Sequence, residues 1–300
     1  MNILSINMCG IRGIVKRRRL SNICSVHSVA FLGIQESRVT TVNLFELRSM
    51  WGNFSFDFAV SSARGLSGGL ISMWDPAAFC RKNITCFENA IIVEGVWIFS
   101  KFQCYMVNVY APQQDSQKRE LWDRIHGFME SHPGEYICFG DFNAVRNANE
   151  RWGCDFHQRE ADDFNQFITE NGLVDVPMGA FAFTRISTNG EKMSKLDRFL
   201  ITEGVIDHFP ELICTALSNT ISDHRPICLR EMVTDFGPRP FRFLNSWMSE
   251  PTFEGLLRTS WGKPLELEGG CRAILLKNKL KRLKEDVKKW WHAIKDNKEG

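Results

Sequence analysis

The sequence predicts an α/β sandwich of mixed β-sheets, and three observations carry that prediction. Short, nearly continuous apolar runs recur at residues 3–7, 29–35, 69–74, 91–99, 104–110 and 136–140, as expected of strands covered on a whole face by another layer. Amphipathic helical patterns lie between several of them. Finally, there is neither a strict strand–helix alternation nor a glycine-rich nucleotide fingerprint, which favours mixed sheets.

Taken in order, the first six residues are too short and too poor in basic residues for a signal peptide, so they read as a strand ending at Asn7. The basic run Lys16 to Arg19 reads as a solvated helix face. The second strand ends in Gln35 and Glu36, where the carboxylate is either a surface group opening a loop or a hard oxygen ligand suited to Mg²⁺. Run 104–110 ends at Tyr110, with Pro112 closing the segment. Ser116 is placed to cap a helix carrying Leu121, Trp122, Ile125, Phe128 and Met129 on one stripe. After Pro133 and Gly134 comes the strand leading to Gly140, Asp141, Phe142 and Asn143. If extended geometry continues there, Asp141 and Asn143 point to one face and can orient a water and take its proton. The plain alternative is an Asx turn after a strand. A helix over 160–171 places Ala161, Phe164, Phe167 and Ile168 on one face and ends at a C-cap formed by Asn171 and Gly172. Asp197 interrupts the strand-like run 195–200. Ser222, Asp223 and His224 precede another apolar run. That histidine can ligate a metal when neutral, bind a phosphoryl oxygen when charged, or simply sit in a turn.

Composition adds bounds. The hydrophobic share of 44% and the charged share of 24% are those of an ordered globular chain. The net charge of +2 hides a split: residues 271–300 carry ten Lys/Arg and four Asp/Glu, leaving 27 basic and 31 acidic residues in 1–270. A nucleic-acid enzyme needs only one basic groove, so the totals do not exclude one. The ten cysteines are scattered and form no C-x-x-C pair, which points to reduced buried thiols in an intracellular protein and away from structural zinc. No apolar run approaches the ~20 residues of a membrane span. Residues 236–240 read as a linker and 241–247 as an aromatic patch. Beyond them Leu276, Leu280, Leu283, Val287, Trp290 and Ile294 form a heptad-like seam flanked by Lys and Arg. That seam packs on the body or a further domain, self-associates, or contacts nucleic acid. The chain stops at Gly300 among charged residues, which reads as truncation. Three segments are therefore expected: 1–232, a linker with an aromatic patch over 233–270, and a basic helix over 271–300.

Each motif alone is weak, but their order is specific: strand ends deliver Asn7, Glu36, Tyr110, Asp141 with Asn143, Asp197, and Asp223 with His224. This set resembles the endonuclease/exonuclease/phosphatase superfamily over roughly residues 1–232. Its finer texture, at 107–113, 194–201 and 236–247, is similar to the endonuclease domain of a plant LINE-type non-LTR retrotransposon polyprotein. The resemblance implies a four-layer αββα sandwich of the deoxyribonuclease I type, followed by a C-terminal helical extension. It also implies Mg²⁺-dependent hydrolysis of DNA phosphodiesters, with Mn²⁺ as the alternative ion, in an intracellular, nuclear protein. By that resemblance Glu36 is the principal metal ligand, helped by Asn7. Asp141, with Asn143 beside it, aligns and deprotonates the attacking water. His224 contacts the scissile phosphate and is oriented by Asp197. Asp223 supports the metal or the histidine, and Tyr110 lines the phosphate pocket. Arg12, Lys16 to Arg19, Arg64 and Arg185 are candidates for DNA backbone contacts.

A reverse transcriptase, which follows in such elements, is absent from this chain, so a fragment or decayed copy is expected. Three positions depart from the family pattern. Ile6 replaces a Trp, Cys9 stands where a polar or basic residue is usual, and Arg185 stands where a Trp is expected. Two other functions fit the same residues less well. A phosphomonoesterase acting on lipid or inositol phosphates would use Arg146 and Arg151. An inert interaction module would work through the 276–294 seam.

Overall fold

The computed structural model describes residues 1–52, 55–63, 68–218, 221–232, 247–248, 250–264 and 272–298. Arg64 and most of the predicted linker and aromatic patch lie outside them. In chain order the elements begin with β1 (Asn2–Asn7), α1 (Ile14–Val26), β2 (Phe31–Gln35), α2 (Leu44–Trp51), β3 (Asp57–Ser61), β4 (Leu70–Trp74), β5 (Phe79–Cys86), β6 (Ala90–Trp97) and β7 (Phe102–Tyr110). Next come α3 (Asp115–Ser131), β8 (Tyr136–Asp141), β9 (Arg151–Trp152), α4 (Gln158–Glu170), β10 (Leu173–Asp175), β11 (Met178–Gly179), β12 (Arg185–Ile186) and β13 (Met193–Ser194). The remainder is β14 (Asp197–Thr202), α5 (Glu203–His208), β15 (Leu212–Ala216), β16 (Ile227–Glu231), α6 (Phe253–Gly262) and α7 (Arg272–Lys298).

The strands form a seven-stranded sheet, β11-β15-β16-β1-β2-β4-β3, and a six-stranded sheet, β10-β14-β8-β7-β6-β5. Both are mixed: β1–β2 and β7–β8 pair in parallel, most other pairs antiparallel. Their facing sides share one core, with Phe31 and Trp74 from the first sheet against Phe79, Phe139 and Phe199 from the second. The outer face of the first sheet packs on Leu20, Leu47 and Met50 of α1 and α2. The outer face of the second packs on Leu121, Trp122, Phe164 and Phe167 of α3 and α4. Strands sandwiched in this way are apolar on both sides, and β2 is buried at every residue. The result is the four-layer αββα arrangement. A small third sheet, β12-β13-β9, stands beside it.

One close approach holds the two sheets in register. A Cβ at Gly33 of β2 would lie 2.3 Å from Phe139 Cε2 of β8, so only glycine lets the sheets meet here. Next to it, Gln35 donates to Ser5 Oγ (3.0 Å) and to Asn108 Oδ1 (2.7 Å), while Asn108 donates to the Ile71 carbonyl (3.1 Å) and Ser72 Oγ (3.2 Å). This buried polar web ties β1, β2 and β4 to β7 just beneath the end of β2.

Several expectations need correction. Ser116 does not cap α3; the N-cap position is Gln114, and Ser116 lies in the first turn. The run 91–99 stops as a strand at Trp97, because Ile98 and Phe99 are exposed at the turn into β7, where Lys101 takes φ +56°. The basic run in α1 is not uniformly solvated. Arg17 is buried, and its Nη1 donates to the carbonyls of Ile11 and Arg12 and to Glu46 Oε1.

The chain divides into two compact units, Met1–Val233 and Thr234–Gly300. In the second, α6 falls within the stretch expected as linker. It supplies a partner for the seam of α7: Phe253 clusters with Trp247, Leu283, Val287 and Trp290, and Trp290 Nε1 donates to Thr252 Oγ1 (2.9 Å). Leu276 and Leu280, at the other end of the seam, are half exposed. Among the described residues no helix is long and apolar enough to cross a membrane.

Candidate active site

Strand register builds the site. Tyr110 at the end of β7 pairs with Asp141 at the end of β8, and Asp141 pairs with Asp197 at the start of β14. These three side chains therefore form one row at the rim of the six-stranded sheet. Across from it, Asn7 at the end of β1 pairs with Gln35 at the end of β2, which puts Asn7 and Glu36 at the rim of the seven-stranded sheet. Asn7 Nδ2 donates to Asp141 Oδ2 at 2.9 Å and joins the two rims.

Asp141 is held tightly. Gly140 precedes it at φ +138°, where a Cβ would strike the Val109 carbonyl oxygen at 2.0 Å. The strand stops at Asp141, and extended geometry does not continue. Asn143 takes φ +46° and donates its backbone N–H to Asp141 Oδ1 at 3.0 Å, an Asx turn, while its side-chain amide donates to the Ala111 carbonyl at 2.7 Å. Both readings of this motif hold at once: the turn is what presents the carboxylate. Burial raises the Asp141 carboxyl, the His224 cation opposes that, and the balance stands at about 6.

His224 is oriented from both ends. Its Nδ1 shares a proton with Asp197 Oδ2 at 2.8 Å, and its Nε2 lies 3.8 Å from Asp141 Oδ2. Burial would lower its pKa, but Asp197 and then Asp141 outweigh that and raise it to about 9. Thr184 and Ser222 fix the backbone around the pair. Thr184 Oγ1 accepts from the N–H groups of Leu196 and Asp197, at 2.9 and 3.0 Å. Ser222 Oγ donates to the Asn7 carbonyl (2.7 Å) and accepts from His224 N–H (2.9 Å). The sequence assigned neither residue a role, although Ser222 sits inside the motif with Asp223 and His224 and Thr184 directly precedes Arg185. It also missed Arg38, whose guanidinium grips Glu36 Oε1 and which carries no signal of its own.

Glu36 adopts φ +52°, in the left-handed region that a non-glycine residue enters only under constraint. The phenol of Tyr110 is pushed up by burial and by Glu36 and Asp141, so it stays a protonated donor. Asp223 lies between Cys9 and Arg185. Its Oδ1 meets Cys9 Sγ at 3.0 Å and its Oδ2 meets Arg185 Nε at 3.4 Å, so it faces Cys9 and the β12 arm more than the histidine. Burial resists its ionisation, but the Cys9 hydrogen bond and the His224 and Arg185 cations hold its carboxyl below the usual range.

Among the described residues, Asp141, Asp197 and His224 bring three ligand atoms within 4.8 Å of one another. Their own proton accounts for that closeness, since an imidazolium already sits between two carboxylates. The fit for a divalent cation lies instead between the two rims, where Glu36 and the Asn7 amide oxygen on one and the Asp141 carboxylate on the other offer hard oxygens. An unpartnered buried oxygen, Asp197 Oδ1, adds to the negative character of the cleft. Of the expected basic contacts, Arg12 and Arg185 are exposed. Arg146 is engaged with Asn165 and Asp175, and Arg151 with the Asp155 carbonyl, so neither extends into the site as a phosphomonoesterase would need.

Residues 104–228 match the family model described as endonuclease-reverse transcriptase. No curated protein matches the chain. Among solved structures, the chain is similar to the AP endonuclease LMAP from Leishmania major, at 15% identity over 76% of this chain and 86% of that one, with a TM-score of 0.59. It is similar to the endonuclease domain of TRAS1, a telomere-specific non-LTR retrotransposon, at 15% identity over 77% and 98%, TM-score 0.55. The mannosyl-6-phosphatase Bt3783 of Bacteroides thetaiotaomicron shares the fold too, at 14% identity over 77% and 98%, TM-score 0.55. The two mixed sheets and their flanking helices thus share the fold of these solved structures, and residues 104–228 carry the match to the endonuclease-reverse transcriptase family model.

Proposed function

We propose that this chain is a divalent-metal-dependent phosphodiesterase that nicks DNA, as the endonuclease of a plant LINE-type retrotransposon. The observation that carries this reading is the continuous chain Asn7–Asp141–His224–Asp197 facing Glu36 across the rim. It pairs a carboxylate able to take a proton near neutral pH with an imidazolium able to give one. Glu36, with Asn7 and Asp141, would hold the cation, which when bound supplies Lewis-acid charge stabilisation at the phosphate. Asp141 accepts the proton of the attacking water at the oxygen that Asn7 also holds. His224, protonated at Nε2, donates to a non-bridging phosphoryl oxygen, and Asp197 keeps its Nδ1 proton in place. Tyr110 donates its phenolic proton on the same side. DNA is favoured over a small phosphomonoester because Arg146 and Arg151 are committed elsewhere. The match to an endonuclease-reverse transcriptase family supports the retrotransposon assignment, and an intracellular, nuclear location belongs to the same proposal.

Conversion of supercoiled plasmid to open circles, with Mg²⁺ and with EDTA, is the test. Wild type should nick only with the metal, and Glu36→Ala and His224→Ala should each lose on the order of 10²-fold or more. Equal nicking by all three would end the enzyme reading, and release of phosphate from sugar or inositol phosphates without nicking would favour the phosphomonoesterase.

A further inference from the structure

α7 carries one row of cations that its helix partner leaves uncovered. The seam residues Leu283, Val287 and Trp290 cluster with Phe253 of α6. Neighbouring positions on that side also reach α6 and its C-cap. Lys279 Nζ donates to the Trp261 carbonyl (3.2 Å), Arg282 Nη2 donates to the Ser260 carbonyl (2.8 Å), and Asp286 lies 3.9 Å from Lys263 Nζ. At about 100° per residue, the side opposite that contact belongs to Lys277, Lys281, Lys284 and Lys288, within a sector of roughly 60°. They form a line about 16 Å long. Lys277, Lys281 and Lys288 are exposed and Lys284 partly so, and none of the four has an ion-pair or hydrogen-bond partner among the described residues.

Ordinary solvation does not account for a row of one sign. Other exposed helix faces mix signs: Arg258 of α6 pairs with Glu254 at 2.8 Å, and Arg119 of α3 with Asp163 of α4 at 3.1 Å. On α7 the nearest acid, Glu285, stands at the edge of the row and makes no ion pair among the described residues. Lysines three and four residues apart repel one another along a helix, and an anionic partner relieves every such pair at once.

We propose that the face of α7 bearing Lys277, Lys281, Lys284 and Lys288 docks duplex DNA through its phosphates, without base readout. Charge and shape choose the partner. A straight line of cations on a rigid helix suits an anion whose charges are already laid out, and duplex DNA carries one negative charge per about 1.7 Å of its axis. A flexible single strand would have to be straightened along the helix, and the row offers no aromatic side chain on which its bases could stack. Lysine ammonium groups act as point charges, which grip a backbone and leave sequence unread. The choice of DNA over RNA rests on the reading that this chain nicks DNA; the phosphate-binding face does not.

The full chain is titrated in EDTA, which prevents nicking, with a short fluorescent DNA duplex, and anisotropy is read at several salt concentrations. The variant Lys277→Gln/Lys281→Gln/Lys284→Gln/Lys288→Gln keeps residues of similar helix propensity, and circular dichroism checks its helix content. Its slope of log affinity against log salt should be shallower than wild type's by about three to four, with affinity lower on the order of tenfold or more at about 0.1 M salt. Arginine at the same four positions should keep the wild-type slope. Lys82→Gln/Lys101→Gln, which removes exposed charge from the other compact unit, should leave the slope unchanged. Three results would each overturn the proposal: an unchanged slope in the four-glutamine variant, an equal loss in Lys82→Gln/Lys101→Gln, or lysine-dependent binding of phosphatidylserine vesicles with duplex binding untouched. Tighter lysine-dependent binding of duplex RNA would overturn the choice of DNA. Lysine-dependent binding in EDTA without plasmid nicking in Mg²⁺ would remove the nuclease reading and leave this surface, whereas Mg²⁺-dependent nicking with an unchanged slope would remove this inference alone.

Discussion

Asp197→Asn isolates what the buried carboxylate does for His224. Asparagine fills the same space but carries no charge, and the 2.8 Å contact to Nδ1 loses its ionic partner. Among the influences that raise the histidine to about 9, Asp197 is the largest. Removing it lets the pKa fall toward the ordinary 6.5, with Asp141 still holding part of the shift. At about pH 7.5 an imidazole of pKa about 9 is roughly 97% protonated and one of pKa 6.5 roughly 9% protonated. With the variant's imidazole at the ordinary 6.5, the loss of active protonation state is about tenfold, or ~1.4 kcal/mol. Near pH 6 the same arithmetic leaves about three quarters of the variant protonated, and the two enzymes converge. The acid limb, set by Asp141 at about 6 in wild type, should move to lower pH in the variant, because Asp197 is one of the charges that raise the Asp141 carboxyl. The assay is kcat/KM for plasmid nicking from about pH 5.5 to 9.5, with the melting temperature of each variant taken alongside. A constant ratio of wild type to variant across that range would refute this reasoning, because it would mean that Asp197 acts only by holding the fold.

The same proton appears in stability. A histidine raised from 6.5 to about 9 in the folded state contributes stability that is complete below 6.5 and lost as pH rises through about 9. Asp141, a raised carboxylate, loses its own contribution lower down, as pH rises through about 6. Chemical denaturation at about pH 6.5 and 9.5 should therefore show unfolding free energy falling by up to ~3 kcal/mol in wild type, and markedly less in Asp197→Asn. Gly33→Ala should cost ~1–3 kcal/mol, because its methyl meets Phe139 Cε2 at 2.3 Å, and urea titration will read that cost as a lower midpoint at unchanged slope. Arg198 is fully buried, with Nη1 donating to Asp175 (2.6 Å) and Glu150 (2.9 Å) and Nη2 again to Glu150. Arg198→Met leaves those carboxylates with Lys195 and, for Asp175, Arg146 as their remaining near cations, so a loss of about 3–5 kcal/mol is expected in thermal or chemical unfolding.

Much of the fold was legible because period and burial agree. The runs 3–7, 104–110 and 136–140 differ from β1, β7 and β8 by no more than two residues at either end. Strands buried on both faces announce themselves by continuous apolar sequence, whereas β5, with Arg81, Lys82 and Asn83 exposed, does not. The short strands β9 to β13 carry two or three residues each and have no period to read. α6 was hidden for another reason: it is a ten-residue helix whose apolar side is covered by α7, a pairing that no local pattern reveals. At the site, Asn7, Glu36, Tyr110 and Asp141 were readable because a polar residue closing an apolar run is a local event, and Asp197 because it is a lone carboxylate inside a strand-like run, where it proves to open β14. Thr184 and Arg38 were not, since each acts on a residue distant in sequence or already assigned.

The site follows from a constraint on strand ends. A sheet interior leaves no room for an unpaired carboxylate, yet Asp141 and Asp197 sit side by side at 1% exposure. They persist because they lie at the last and first positions of adjacent strands, where Asn7, the Asn143 amide and the imidazolium can reach them. The arrangement works only if β1 and β8 end at the same height. The packing of Gly33 against Phe139 and the Gln35–Asn108 hydrogen bond set that height from below. A shift of one residue in β1 would turn Asn7 to the opposite face and leave Asp141 Oδ2 without its donor. Sheet-to-sheet packing two residues below the rim thus sets whether Asp141 and His224 stand in register, which is why a methyl group at Gly33 should disturb nicking as well as stability.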